Sequence, residues 1–362
     1  MKAAVFRRAH EPLSIETVTV DKPQEREVLV RTAATGVCHS DLHYVDGDLP
    51  ARSHPMVMGH EGSGVVEAVG SAVTTVKPGD HVVACLSGFC GACPQCLSGH
   101  PNLCATRFVS RPNSATPRLS QNGEPLIPFA DVGSYAEHML LHENSLVKID
   151  PEIPLDRAAL VGCGVLTGVG AALRTSGLQA GQSVAVFGCG GVGLSIIQGS
   201  RIGGASRIIA IDHIAAKLER AHSLGATDCI NSSEGNAVER LREITGGRGV
   251  DHAFEAVGLP VLIRQAVESL AIGGTATIVG VPPDGSIIEF PFSAIRPECK
   301  VQTSRMGSNR FRLDIPTYLD FYRQGRLNLD DMVSKRGKLE DVNEAFRAMK
   351  AGEVARTVLL FD

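Results

Sequence analysis

The sequence predicts an α/β protein in two parts, a β-rich first half followed by a doubly wound parallel sheet. Three observations carry this. The apolar, β-prone run Ser183-Val184-Ala185-Val186-Phe187 feeds straight into Gly188-Cys189-Gly190-Gly191-Val192-Gly193. That G-x-G-x-x-G spacing, between a strand and a helix, lets the backbone approach a pyrophosphate at the helix N-terminus. A second strand, 207–211, ends in Asp212, at the separation of about 20 residues expected of the acid that binds adenosine ribose hydroxyls. An anion there repels a 2′-phosphate, so NAD is favoured over NADP. Residues 1–150, by contrast, hold short runs such as 28–33, 64–70 and 80–84, separated by Gly, Pro and Asp turns. These read as a small, partly open barrel.

At 362 residues the chain exceeds what one core usually supports, so two domains are expected. A net charge of −4 and a pI near 6.3 offer no basic surface for nucleic acid or anionic membrane. The N-terminus, MKAAVFRRAHEP, has no apolar signal segment and reads as a first strand. The longest uncharged run, 158–173, is too short for a bilayer and is broken by glycines, so it reads as a buried segment. A cytoplasmic protein is expected. Its ten cysteines then point to metal or redox chemistry before disulfides.

In chain order, loop-like segments carry Cys38, His39, Ser40, Asp41 and His43, and then His60 and Glu61. Cys90, Cys93, Cys96 and Cys104 follow as C-x2-C-x2-C-x7-C. Four thiolates this close suit a tetrahedral structural zinc in a lobe of about 88–106. The rival is an iron–sulfur cluster, but in bacterial ferredoxins the fourth cysteine comes after three residues and precedes proline, whereas here Ala105 follows Cys104. Residues 110–133, rich in Pro, Ser and Asn, read as a long surface loop, and 134–149 as strand. Beyond the glycine turn come helices at 192–202 and 215–224, the latter placing Lys217 within reach of the ribose. Further strands near 228–230, 251–255 and 275–279 alternate with helices at 237–244 and 260–270. From about 297 the pattern changes to helices at 316–324 and 340–350 and a last strand at 356–361. The expected domains are 1–164, 165–296, and 297–362 as sheet edge and return to the first domain.

Taken in order, Cys38, His60, the four-cysteine lobe, Cys163 and the Gly188 turn resemble the zinc-dependent medium-chain alcohol dehydrogenases, and their class III-like branch in particular. The similarity runs from 36–38 to 356–358. It implies a GroES-like catalytic domain around an inserted Rossmann domain, with two zincs and one NAD per chain. By that resemblance Cys38, His60 and Cys163 ligate a catalytic zinc with its fourth position open, Asp41 supports it, and Glu61 is an acid able to approach it. Ser40 would take the alcohol's proton and pass it towards His43. His39 and Arg356 would contact the pyrophosphate, while Thr167 and Val281 would shape the nicotinamide pocket along with the turn residues Gly188, Gly190, Gly191, Val192 and Gly193.

The expected reaction is reversible oxidation of a primary alcohol by NAD, with a glutathione-type formaldehyde dehydrogenase as the alternative and a non-catalytic zinc-stabilised NAD-binding protein as a second. The glutathione-dependent pattern has an acid in the loop after the first ligand and an Arg four residues after the last lobe cysteine. Here those positions hold Leu49 and Phe108, with Asp48 and Arg107 one place earlier. A pocket of Leu49, Leu86 and Phe108 therefore suggests an ordinary medium-sized or aromatic alcohol. The long 110–133 segment resembles the dimeric branch and implies a homodimer formed through the cofactor domains.

Overall fold

A computed structural model of the chain describes residues 1–50, 55–106, 109–112 and 115–362, so Phe108 and Arg107 lie outside the described residues. Two compact units result. Met1–Cys163, Arg310–Tyr322 and Leu329–Asp362 make one, and Gly164–Asn309 with Arg323–Asn328 the other.

The second unit is built on six parallel strands: β1 Ser183–Phe187, β2 Arg207–Asp212, β3 Asp228–Asn231, β4 Val250–Glu255, β5 Leu270–Ile278 and β6 Lys300–Thr303. Their spatial order is β3-β2-β1-β4-β5-β6. β1 is buried at every position and β2 at all but its first, as expected of strands covered on both faces. Ala185, Phe187, Ile209, Ile211, Ala253 and Ala276 share one core. The order reverses between β1 and β4, which opens a crevice beyond the carboxyl ends of the strands. Gly193 permits the close start of the helix Gly191–Ile202, since a Cβ there would lie 1.8 Å from the Gly188 carbonyl oxygen. The chain leaves this sheet only after β6, because Lys300–Thr303 pairs in register with β5.

The first unit holds two sheets where the sequence suggested one partly open barrel. A seven-stranded sheet runs Leu146–Lys148, His81–Ala84, Glu61–Val69, Glu27–Gly36, Arg356–Leu360, Val333–Gly337, with His138–His142 also on Glu27–Gly36. A six-stranded sheet runs Ser14–Thr17, Lys2–Phe6, Met56–Val57, Glu124–Pro128, Leu119–Gln121, Thr19–Val20. Glu27–Gly36 is the strand that places the site. Its last residue pairs with Glu61 on one side and Val358 on the other. Cys38 lies two residues beyond that end, His60 one before Glu61, and Arg356 two before Val358, so the register alone brings all three to one edge.

Two local expectations are corrected. Residues 110–133 are not a plain surface loop. They contain the hairpin Leu119–Gln121/Glu124–Pro128, closed by Asn122 and Gly123 with φ of 52° and 87°, the two positive values a type I′ turn needs. Arg118, just before the hairpin, is buried against the equally buried Glu27. Burial opposes the charge on Glu27, yet Arg111, the Gln24 amide and Arg118 hold its pKa down to about 2. The helix expected at 316–324 is Phe311–Arg323, with Pro316 inside it. The proline reads locally as a start, but burial of Phe311 and hydrogen bonds from Arg312 to the carbonyls of Glu143 and Leu146 carry the helix further back. Among the described residues no single helix is long and apolar enough to cross a membrane.

Candidate active site and metal centres

Cys38, His60, Glu61 and Cys163 are all buried, and each offers a ligand atom within 4.8 Å of the others. Cys38 precedes the short helix His39–Val45, and Cys163 follows Leu155–Val161. His60 is presented by Gly59, whose φ of 89° and lack of room for a Cβ beside Tyr135 and Ser134 exclude other residues.

The imidazole is oriented by Asp41, fully buried, whose carboxylate lies 3.3 Å from His60 Nδ1. The same carboxylate accepts from the Gly59 amide at 3.0 Å and from the Tyr135 hydroxyl at 3.0 Å. With its Nδ1–H on Asp41, the ring keeps its lone pair on Nε2, a buried atom without a hydrogen-bond partner. Burial alone would pull the His60 pKa down, but Asp41 and Cys38 lift it to about 10. A hydrogen bond from Cys163, against the cost of burial, drives the Cys38 thiol well below its ordinary range, helped by His60 and Arg356. Cys163 is pushed the other way, well above its ordinary range, by its bond to Cys38 and by burial. A second thiolate therefore needs added positive charge where Nε2 and the two sulfurs meet, which a divalent zinc held by two thiolates and a neutral imidazole supplies. Glu61 pairs with Arg356, and both are buried.

The four-cysteine lobe gives a sharper test of fit. Sulfurs each about 2.3 Å from a tetrahedral zinc stand about 3.8 Å apart. The observed separations are 3.9 Å for Cys90–Cys96, 3.5 Å for Cys93–Cys96 and 3.8 Å for Cys93–Cys104. Backbone amides of Ala92 and Cys93 point at Cys90 Sγ from 3.4 and 3.2 Å, and that of Cys90 at Cys104 Sγ from 3.3 Å. Such donors favour thiolates.

Ser40 lies beside the buried set, its Oγ 3.7 Å from Cys38 Sγ. Ser40 and His43 stand three apart on His39–Val45 and so share a face. His43 Nδ1 is 3.0 Å from the Asp48 carboxylate. That bond places the His43 proton on Nδ1 and leaves Nε2 free to accept. His39 is exposed, and Leu49 partly buried. Leu86 packs against the core around Val28, Val82 and Leu146, so much of its side chain serves that core.

In the second unit, Asp212 is buried and holds the glycine turn directly. Its Oδ2 accepts from the Cys189 amide at 2.8 Å and its Oδ1 from the Ile214 amide at 3.0 Å. Lys217 stands in the first turn of Ala215–Ser223. Thr167 is buried, with its hydroxyl 3.5 Å from Met306 Sδ, while Val281 is exposed beyond the carboxyl end of β5. Gly188, Gly190 and Gly191 have no side chain to crowd a pyrophosphate at the start of Gly191–Ile202, where Val192 and Gly193 form the next residues of the helix. A dinucleotide fits this cradle. Asp212→Gly should raise kcat/KM for NADP relative to NAD by at least about tenfold, in line with loss of a charge that repels the 2′-phosphate. Initial rates with both cofactors decide it, and an unchanged ratio would remove Asp212 from the selectivity role.

Tyr135 was missed by sequence reasoning. It lies far from every motif, with no spacing to announce that its hydroxyl would reach Asp41.

Comparison with known proteins follows the same lines. Residues 24–151 match the alcohol dehydrogenase GroES-like domain, and residues 191–324 the zinc-binding dehydrogenase family. The chain is 40% identical over 372 aligned positions to S-(hydroxymethyl)glutathione dehydrogenase of Saccharomyces cerevisiae, covering 99% of this chain and 96% of that protein. It is 40% identical over 366 positions to alcohol dehydrogenase class-3 of Myxine glutinosa, covering 99% and 97%. Among solved structures it is similar to an alcohol dehydrogenase zinc-binding domain protein from Burkholderia ambifaria, with TM-score 0.94, 38% identity and coverage of 100% and 98%. The benzyl alcohol dehydrogenase of Acinetobacter calcoaceticus gives TM-score 0.92, 32% identity and coverage of 100% and 99%.

Proposed function

Because the chain belongs to the zinc-dependent medium-chain alcohol dehydrogenases and is class III-like within them, we propose that it oxidises the hydroxymethyl adduct of a thiol of the glutathione type. The bound zinc would acidify the substrate hydroxyl and bound NAD would accept the hydride. R–S–CH2OH would thereby become the thioester R–S–CHO, with NADH and one proton released.

In this reading Cys38, His60 and Cys163 hold the catalytic zinc, and Cys90, Cys93, Cys96 and Cys104 the structural one. Ser40 receives the hydroxyl proton beside the ligand set, and His43, its tautomer set by Asp48, carries it towards solvent. His39 and Arg356 contact the cofactor pyrophosphate, Arg356 sharing its charge with Glu61. Thr167 and Val281 flank the nicotinamide.

One observation carries the choice of substrate. Several relatives at 38–40% identity, matched over 99% of this chain, bear the name S-(hydroxymethyl)glutathione dehydrogenase. That outweighs the plain alcohol suggested by Leu49 and Phe108. Asp48, with a side chain 40% exposed, keeps a carboxylate face for a peptide ligand despite its bond to His43. The plain alcohol stays as a second reading because of the likeness to benzyl alcohol dehydrogenase. NADH formation is to be followed with formaldehyde, with and without glutathione, and with benzyl alcohol. A rate with formaldehyde that needs glutathione and exceeds the benzyl alcohol rate supports the thiol reading; glutathione-independent rates sink it.

We read the enzyme as a cytoplasmic homodimer formed through its cofactor domains. Among the described residues no strand pairs with the outer edge of β6, and Ile287 and Phe292 are 77% and 87% exposed in the segment that leads to it. Light scattering should give about twice the 38.2 kDa chain mass; a mass of four chains would refute the dimer.

A further inference from the structure

Two successive residues after Phe129 adopt left-handed backbone without being glycine, Ala130 with φ of 55° and Asp131 with φ of 60°. Aspartate tolerates that region better than alanine, and both persist only where their surroundings over-determine them. The surroundings are specific. Asp131 Oδ1 accepts from Ser110 Oγ at 2.6 Å and faces Arg118 Nη1 at 4.0 Å. Arg118, nearly all buried, donates from Nε to Glu27 Oε1 at 2.8 Å and from Nη2 to the Val109 carbonyl. Glu27 opens the central strand Glu27–Gly36 and is also held by Arg111, whose Nε lies 2.9 Å from Oε1. The turn is therefore tied to the strand whose far end carries the metal site.

At its other side the turn ends on an aromatic contact. The Phe129 ring meets the His60 imidazole edge to face, with centroids 5.7 Å apart and planes at 67°. Tyr44 also meets Phe129 edge to face, at 5.1 Å and 72°. The hydrogen bond to Asp41, at 3.3 Å, is long for an N–H···O bond and leaves the His60 ring room to tilt. A packed ring edge is what removes this freedom.

We propose that Asp131 is a positioning residue for the catalytic metal: anchored by Ser110 and Arg118, it holds the Phe129 turn so that Phe129 keeps His60 Nε2 aimed at the meeting point with Cys38 and Cys163. The proposal rests on zinc in that ligand set and not on the identity of the substrate.

The test is the rate at which zinc passes from the full-length holoenzyme to a chelating dye. The phase absent in Cys163→Ser belongs to the catalytic set, and the remaining phase to the cysteine lobe. Asp131→Ala should speed the first phase about tenfold, the low end of what loss of a ligand's supporting partner costs in metal affinity. Asp131→Asn, whose carboxamide oxygen still accepts from Ser110, should stay within about threefold of wild type. Phe129→Ala should also speed that phase, and Asp131→Ala/Phe129→Ala should be no faster than Phe129→Ala alone, since residues acting through one contact do not add. Full additivity, no rescue by Asn, no effect of Asp131→Ala, or equal acceleration of both phases would each overturn the proposal. Because zinc release is read without substrate, failure of the proposed activity would leave this result standing.

Discussion

Cys163→Ser is expected to remove turnover, by more than about 100-fold, while the protein stays folded and keeps the zinc of its cysteine lobe. Losing a hydrogen-bond partner of a ligand costs about 10–100-fold, and losing the ligand itself must cost more. Cys163 is buried and lies within 4.8 Å of the other ligand atoms, so a serine hydroxyl would stand in the same place. At neutral pH it remains protonated, and oxygen is a poorer match than thiolate for this site. Without metal Cys163 is the protonated donor to the Cys38 thiolate, and it is on binding zinc that the wild type gains a second thiolate which serine cannot supply. Metal analysis should therefore give one zinc per chain in place of two, with far-ultraviolet dichroism unchanged. Activity within tenfold of wild type would mean that Cys163 is not a ligand.

Cys96→Ser should act the other way, on stability before chemistry. Of the lobe residues 90–104 only Asn102 is buried, and none contributes to an apolar core, so the metal is what closes the lobe, and structural zinc supplies folding free energy directly. The damage should spread, because Phe89 at the base of the lobe packs against Phe311 at 5.8 Å and lies under the Arg312 guanidinium at 5.4 Å. A loss of roughly 3 kcal/mol or more is expected, which lowers Tm by about 6–12 °C for a domain of this size. The kcat of protein that remains folded should stay within about threefold. Unchanged Tm together with lost activity would reverse the roles given to the two metal sites.

These two variants separate sites that could both be read in the chain, and the reason is chemical. Metal ligands and a pyrophosphate turn demand fixed residue types at fixed spacing, so Cys90, Cys93, Cys96 and Cys104 announce themselves locally, as do Gly188, Gly190 and Gly193. What joins those parts does not. Tyr135 reaches Asp41 only because Gly59 lets the chain pass close beside it. Arg118 looks like any loop arginine until the sheet brings Glu27 to it. Leu86, read as a pocket residue, also packs on the core around Val28, which no local pattern announces. Asn122-Gly123 is a local signal for a hairpin, obscured by the Pro, Ser and Asn around it. Pro316 shows the converse, a strong local start signal overridden by the packing of Phe311, which begins the helix earlier.

The two amides bound by Asp212 constrain how this lineage could change its coenzyme. Its carboxylate, proposed to meet the ribose, also clamps the amides of Cys189 and Ile214. A mutational path towards the phosphorylated coenzyme cannot simply delete the acid, because the same step frees the loop that must receive the diphosphate. Asparagine is the accessible intermediate, since its one oxygen can still accept from the Cys189 amide, losing only the bond to Ile214, while the charge is gone. A second substitution that supplies a cation could then follow on a glycine turn still held at Cys189, and an order of substitutions that starts with glycine or alanine should pass through a variant that binds either coenzyme poorly.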